Sequence, residues 1–375
     1  MEPTTLINLV RHYSPSGQES AAVEYLIGRM DELGFGHAYS DEVGNAIGVM
    51  GDGSKQIILL GHIDTVPGEI PVRVSPLPEE RQDVHADARR AGKGAGVMVL
   101  HGRGSVDAKG PLSAFVDAVA AVGAVEGWQF IVIGAIDEER ESIGARHIVD
   151  KYQPDFAIIG EPSRWNRVTL GYKGSARAQV SVGCQMQHSA GPSQSAPEAA
   201  IEVWKRITTW VDKFNSGRER VFEQVSPTLS GFSSKKEDFE ETATLQISTR
   251  LPLRLKPQQW YAELKKILIA SSPFKVSIEV IGFPIPAYKA GRNSPLIRAF
   301  LGGIRAEGSR PGFVVKTGTA DLNIVAPVWG CPAVAYGPGD SSLDHRPNEH
   351  TSLAEYQQAV GVLINVLQKL VVVDD

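Results

Sequence analysis

Cysteine is almost absent. The 375-residue chain has two, Cys184 and Cys331, far apart and outside any metal-binding spacing. That excludes a disulfide framework and a thiolate cluster, and it predicts two buried free thiols. Any metal held here must be taken by His, Asp and Glu. Long apolar runs are also missing, since none approaches the roughly 18–20 residues that span a bilayer. Excess charge is missing too: a net charge of −5 argues against a nucleic-acid partner. The opening Met-Glu-Pro-Thr-Thr lacks the basic start and apolar core of a secretory signal, so a cytoplasmic address is expected, with no membrane partner. What remains is ordinary for a globular protein, at 42% hydrophobic and 22% charged residues. The length exceeds one ordinary core and predicts two domains.

The pattern along the chain is α/β in its first part. Residues 18–34 carry apolar positions at helical period and stop at Gly34 and Gly36. Residues 45–50 and 56–60 read as strands, with Gly51-Asp52-Gly53 as a hairpin turn between them. An Ala- and Val-rich helix over 111–126 precedes a wholly apolar strand at 130–136, as expected inside a covered sheet. A helix at 144–151 and a buried strand at 156–159 follow.

Near residue 168 the texture changes. Residues 176–183 and 242–251 alternate apolar and polar, the mark of half-buried antiparallel strands. Helices over 196–214 and 258–270 and a strand at 275–281 complete an inserted α+β unit. From Ser294 the α/β pattern resumes, with a helix over 294–306, a strand at 333–336 and a final helix over 351–370. The expected organisation is a split catalytic domain, 1–168 and 287–375, around an inserted domain, 169–286. Residues 75–96, polar and Gly/Ala-rich, read as a surface loop.

Acidic and imidazole side chains recur at strand ends beside glycine or proline. They are His62 and Asp64, Asp107, Glu138 and Glu139, Glu161, and His345. Singly, each has a plainer reading: a packed histidine, a solvated Glu-Glu helix start, an aspartate helix cap, a turn glutamate. Together they sit where open α/β sheets build sites, at the carboxyl ends of strands. The inventory suits two metal ions, each wanting about three protein ligands. Asp107 is the natural bridge, with His62 and Glu161 completing one ion and Glu139 and His345 the other. Asp64 would orient the His62 ring, and Glu138 is left as general base. Zinc fits these donors, and cobalt or manganese would accept the same set.

His62-Ile-Asp64-Thr-Val-Pro, Gly102-Arg-Gly-Ser-Val-Asp107-Ala-Lys-Gly, Asp137-Glu-Glu139, Gly160-Glu161-Pro and His345-Arg-Pro-Asn-Glu349 together resemble the dinuclear-zinc amidohydrolases. That family includes acetylornithine deacetylase, succinyl-diaminopimelate desuccinylase, aminoacylase and glutamate carboxypeptidases. The resemblance runs the length of the chain in motif order. It implies a zinc-peptidase-like catalytic domain, with a mixed sheet covered by helices, and a ferredoxin-like insert acting as lid and dimerisation domain of a homodimer. It implies that His188, in Gln187-His-Ser-Ala-Gly191, bonds the developing oxyanion in the partner subunit's site. It implies that Arg250 grips a substrate carboxylate, although Ser248 stands where the family carries aspartate, and that Gly318 and Thr319 line the substrate pocket. Leu170-Gly-Tyr-Lys-Gly174 and Lys316-Thr-Gly-Thr-Ala-Asp-Leu-Asn323 are similar to members that release lysine or ornithine from the C-terminal glutamate of a small acidic carrier protein, LysW. The alternatives are an N-acetylornithine deacetylase or succinyl-diaminopimelate desuccinylase and, remotely, a non-catalytic dimeric binding protein.

Overall fold

The computed structural model describes residues 3–77, 97–186, 194–269 and 274–372. The chain forms two compact units. The first comprises Met1–Gly171, Ala290–Val314 and Ala320–Asp375, and the second Tyr172–Lys289 with Val315–Thr319.

The first unit is built on a mixed sheet. Seven of its nine described strands lie in the order His37–Ser40, Ala46–Met50, Trp128–Ala135, Lys55–His62, Phe156–Gly160, Ala333–Tyr336 and Arg167–Tyr172. Lys55–His62 runs parallel to both its neighbours, and Ala333–Tyr336 parallel to Phe156–Gly160. The registers place His62 opposite Ala135, Gly61 opposite Gly160, and Gly160 opposite Tyr336. Four parallel strands therefore end flush, and their following loops leave from one edge.

Both faces of these strands are buried, which is why they read as unbroken apolar runs. Ile57, Leu59, Phe130, Val132, Ile158 and Val334 join a core with the helices Ser20–Glu32, Lys109–Val122, Pro295–Ala306 and Leu353–Val371. Their alternates Ile58, Leu60, Ile131 and Ile133 are equally buried, as the two-residue period of a strand requires. The short helices Ile143–Ile148 and Leu322–Trp329 contact each other and this sheet.

One expectation is overturned here. Ala46–Met50 and Lys55–His62 do not form a hairpin, because Trp128–Ala135 lies between them and pairs with both. Gly51-Asp52-Gly53 runs instead against the start of that strand. A Cβ on Gly53 would fall 1.8 Å from the Gly127 carbonyl carbon, so the glycine permits close backbone approach, not a two-strand turn.

A small antiparallel sheet, Arg73–Pro76, Met98–His101 and His350–Ser352, carries the loop that leads into helix Lys109–Val122. Of the 75–96 loop, residues 78–96 lie outside the described residues, while Leu77 N–H donates to Val97 O at 2.7 Å.

The second unit is an antiparallel sheet in the order Ser226–Glu237, Glu240–Leu251, Gly174–Gln185 and Lys275–Ile285. With helices Ala196–Asn215 and Pro257–Ile269 the chain order is βαββαβ, the ferredoxin-like arrangement. Ala178, Val180, Leu245 and Ile247 pack with Val203, Ile207, Trp260 and Leu264. The first helix starts in a capping box formed by Ser195 and Glu198. Cys184 and Cys331 are free thiols, half-buried and not buried as expected. Among the described residues no helix is long and apolar enough to cross a membrane.

Candidate metal centre

The flush strand ends deliver the acidic and imidazole side chains. His62 is the last residue of Lys55–His62. Glu138 and Glu139 follow Trp128–Ala135, Glu161 follows Phe156–Gly160, and His345 follows Ala333–Tyr336. Asp107 arrives from the small sheet. It does not cap helix Lys109–Val122, whose N-cap is Ala108 with no side-chain bond, so the helix-cap reading falls away. The Asp107–Ala108 peptide is cis.

Asp107 stands between the two histidines. Its Oδ1 is 3.3 Å from His62 Nε2 and its Oδ2 3.0 Å from His345 Nε2. His345 Nε2 is also 3.0 Å from Glu139 Oε1. His62, Asp107 and Glu139 bring ligand atoms within 4.8 Å of one another. Burial favours the charged form neither of His62 nor of Asp107. Its effect is outweighed in both, since the Asp107 and Asp64 bonds raise the His62 ring well above its usual range, and His345 and His62 hold Asp107 well below its own. His345 is pushed up to about 10 by its bonds to Asp107 and Glu139.

Asp64 is buried behind this group. His62 Nδ1 lies 3.0 Å from the Asp64 carbonyl oxygen and 3.4 Å from Oδ1, which leaves Nε2 for the centre. The same carboxylate accepts the Glu138 N–H at 3.0 Å, the Glu139 N–H at 3.1 Å and the Ser16 hydroxyl at 2.6 Å. One residue thus orients the imidazole, chiefly through its backbone oxygen, and pins the Glu138–Glu139 turn through its carboxylate.

The Glu138 carboxyl is driven well above the carboxylate range by burial and by Asp321, Glu161 and Glu139, against the opposing pull of His62. Glu161 is buried and adds to the negative field at Glu138. Sequence reasoning gave no role to Asp321. It is 3% exposed, and burial pushes it up to about 7. Its Oδ1 has no hydrogen-bond partner among the described residues. Its only sequence signal was its place after Gly318-Thr319-Ala320.

The residues present fit a dinuclear centre. The two oxygens of one carboxylate face two different imidazoles, and a further carboxylate stands beside the second imidazole. This is the donor set that borderline divalent ions take. A second acidic group, Asp41, Glu42 and His147, does not resemble it. There Lys151 Nζ already lies 2.6 Å from Glu42 and 2.7 Å from His147, and Asp41 Oδ1 accepts the amides of Val43, Gly44 and Asn45.

The remaining expected residues belong to the second unit. There Arg250 Nη1 donates to Thr319 Oγ1 at 2.8 Å, with Gly318 alongside. Lys173 is buried in the same unit, donating to Val221 O and Ser226 Oγ, and burial with the Arg250 charge lowers it to about 8. His188 lies outside the described residues.

The profile of peptidase family M20/M25/M40 matches residues 58–369. The LysW-lysine hydrolase of Deinococcus radiodurans is 41% identical over 364 residues, covering 96% of this chain and 94% of that one. A LysW-lysine/LysW-ornithine hydrolase of Sulfurisphaera tokodaii is 28% identical over 366 residues, covering 97% and 94%. Among solved structures, aminopeptidase PepT from Bacillus cereus shares the fold, with a TM-score of 0.73 at 16% identity over 99% of each chain.

Proposed function

The chain belongs to peptidase family M20/M25/M40 and is a metal-dependent hydrolase, and on that premise we propose that it releases lysine, or ornithine, from the C-terminal glutamate γ-carboxyl of the carrier protein LysW. The observation that carries the chemistry is the Asp107 carboxylate, with one oxygen toward His62 and the other toward His345. The relatives' names carry the substrate.

His62, Asp107 and Glu161 would hold one ion, and Asp107, Glu139 and His345 the other, with zinc the natural choice. Such a pair, when bound, acidifies a water and polarises the amide carbonyl. Glu138 takes the proton of the attacking water as the C–O bond forms and the carbonyl oxygen takes up the electron pair. It then delivers that proton to the amine nitrogen, which leaves as the C=O re-forms and the C–N bond breaks. A carboxyl lifted by burial is suited to both halves of that transfer. Asp64 keeps His62 in one tautomer and orientation.

In this reading Arg250 and Thr319 take the carboxylate of the released amino acid. The inserted unit serves as lid and dimer contact of a cytoplasmic homodimer, and His188 donates to the oxyanion of the partner's site. A substrate panel tests the proposal. Purified metal-loaded enzyme is given lysine- and ornithine-loaded LysW, N-acetylornithine, N-acetyllysine and succinyl-diaminopimelate. Loaded LysW should lead in kcat/KM. A small acylated amino acid hydrolysed faster would replace the carrier by a free substrate, and no turnover of any would remove the amide-hydrolase reading.

A further inference from the structure

Glu349 follows His345 by one short turn and immediately precedes strand His350–Ser352. That strand pairs with Met98–His101, His350 opposite His101. The pairing brings Glu349 beside the Asp107 loop, where the Gly102 N–H donates to the Glu349 carbonyl at 3.4 Å. The side chain is fully buried. Its Oε1 accepts the Val106 N–H at 2.9 Å and the Asp107 N–H at 3.2 Å. Its Oε2 lies 2.8 Å from Arg103 Nη1. Arg103 in turn donates through Nε to Gly68 O at 2.9 Å and through Nη1 to Arg346 O at 3.4 Å.

Three segments meet on this pair. They are the loop carrying Asp107, the loop carrying His345, and the stretch after His62-Asp64 that ends at Gly68. A buried ion pair is weak support for stability by itself, because its desolvation cost offsets its attraction. Here every oxygen of the carboxylate is engaged by the backbone or the guanidinium of a loop that carries a candidate ligand. We infer that Glu349 is a positioning residue of the metal centre. Through Arg103 and the Val106 and Asp107 amides it sets the separation of Asp107 and His345, and so the affinity for the ion those two share with Glu139. This rests on the dinuclear reading above.

The test is metal binding, followed without carrier substrate. Wild-type, Glu349→Ala and Glu349→Gln proteins are stripped of metal and titrated with cobalt in competition with a chelator. Bound metal is counted after dialysis, and visible spectra are recorded. Glu349→Ala should weaken the second ion about 10–100-fold, the usual loss when a ligand's supporting partner is removed. The count should fall from two toward one, with a changed cobalt spectrum. Glu349→Gln keeps one acceptor oxygen for the amides and should lose less. Excess metal should restore kcat in both, with KM for loaded LysW unchanged. Wild-type affinity and spectrum in a folded Glu349→Ala protein would overturn the inference, even with a lowered Tm. If that variant does not fold, unchanged affinity in Glu349→Gln does the same. A wild-type chain that binds fewer than two ions would defeat the dinuclear reading instead, which is a separate result.

Discussion

Replacing Asp64 by asparagine isolates what one carboxylate does, because the shape is kept and one oxygen becomes a donor. Oδ1 accepts from the Glu138 amide and faces His62, while Oδ2 accepts from the Glu139 amide and Ser16. Asparagine satisfies most donors with its oxygen on the Oδ2 side. Its NH2 then opposes the Glu138 N–H and the His62 ring. One buried N–H loses its acceptor, at a cost of about 1–3 kcal/mol. His62 keeps its 3.0 Å bond to the Asp64 carbonyl oxygen and loses the carboxylate 3.4 Å away, so metal affinity or activity should fall toward the lower end of about 10–100-fold. Relief from burying a charge offsets little of this, since burial of Asp64 is already outweighed by its bonds in the native state. Urea unfolding of metal-free protein should show the stability loss, and kcat/KM on loaded LysW the functional one. Ser16→Ala removes a single bond to Oδ2 and should cost about 1 kcal/mol with little kinetic effect. An Asp64→Asn enzyme within twofold of wild type in both stability-corrected metal affinity and kcat/KM would refute the argument.

Glu138→Gln should take up metal normally and lose turnover by about 10²–10⁴-fold, and near-normal turnover would remove Glu138 as the proton carrier. His345 makes the metal-free protein sensitive to alkali. Its folded value of about 10 stands above its ordinary 6.5, so its contribution is complete below 6.5 and is lost as pH rises through about 10. The urea midpoint of chelator-treated protein should fall across that window, and a flat profile would count against the Asp107–His345 pairing. Metal uptake displaces the same proton, so calorimetry in buffers of different ionisation enthalpy should register proton release on binding near neutral pH. Mixing His188→Ala protomers with Glu138→Gln protomers should recover part of the activity if His188 serves the partner's site, and mixed dimers that stay inactive would deny it that role.

The central parallel strands of the first unit and its helices Ser20–Glu32, Lys109–Val122, Pro295–Ala306 and Leu353–Val371 were legible because their apolar runs are long, whereas the shorter Thr4–Arg11, His37–Ser40 and Leu322–Trp329 were not read. The strand-end residues His62, Glu139 and His345 were legible because chemistry-bearing side chains there stand out against glycine and proline. Pairing was less legible. The neighbour of Ala46–Met50 is Trp128–Ala135, a strand far along the chain, and no local period encodes it. Ser226–Glu237 was missed altogether. It is an edge strand, mostly exposed, so burial imposes no apolar alternation on it. Glu349 and Asp321 stood inside quoted motifs without a role, because what defines them is tertiary. Glu349 answers to Arg103, Val106 and Asp107, and Asp321 to Ser142, partners the fold supplies from distant segments.

The strand order has a consequence for how the protein comes into being. Ala333–Tyr336 reaches its place beside Phe156–Gly160 only after the whole inserted unit has been synthesised and bypassed. Non-local pairings of this kind form slowly. The loop with His345 and Glu349 follows that strand, so it is still missing when the first four-fifths of the chain has been made. A nascent or half-assembled chain holds His62 and Glu139 but neither completes the ion pair on Arg103 nor encloses the centre. A chain cut short before Ala333–Tyr336 lacks both His345, which faces Asp107, and Glu349, which pairs with Arg103.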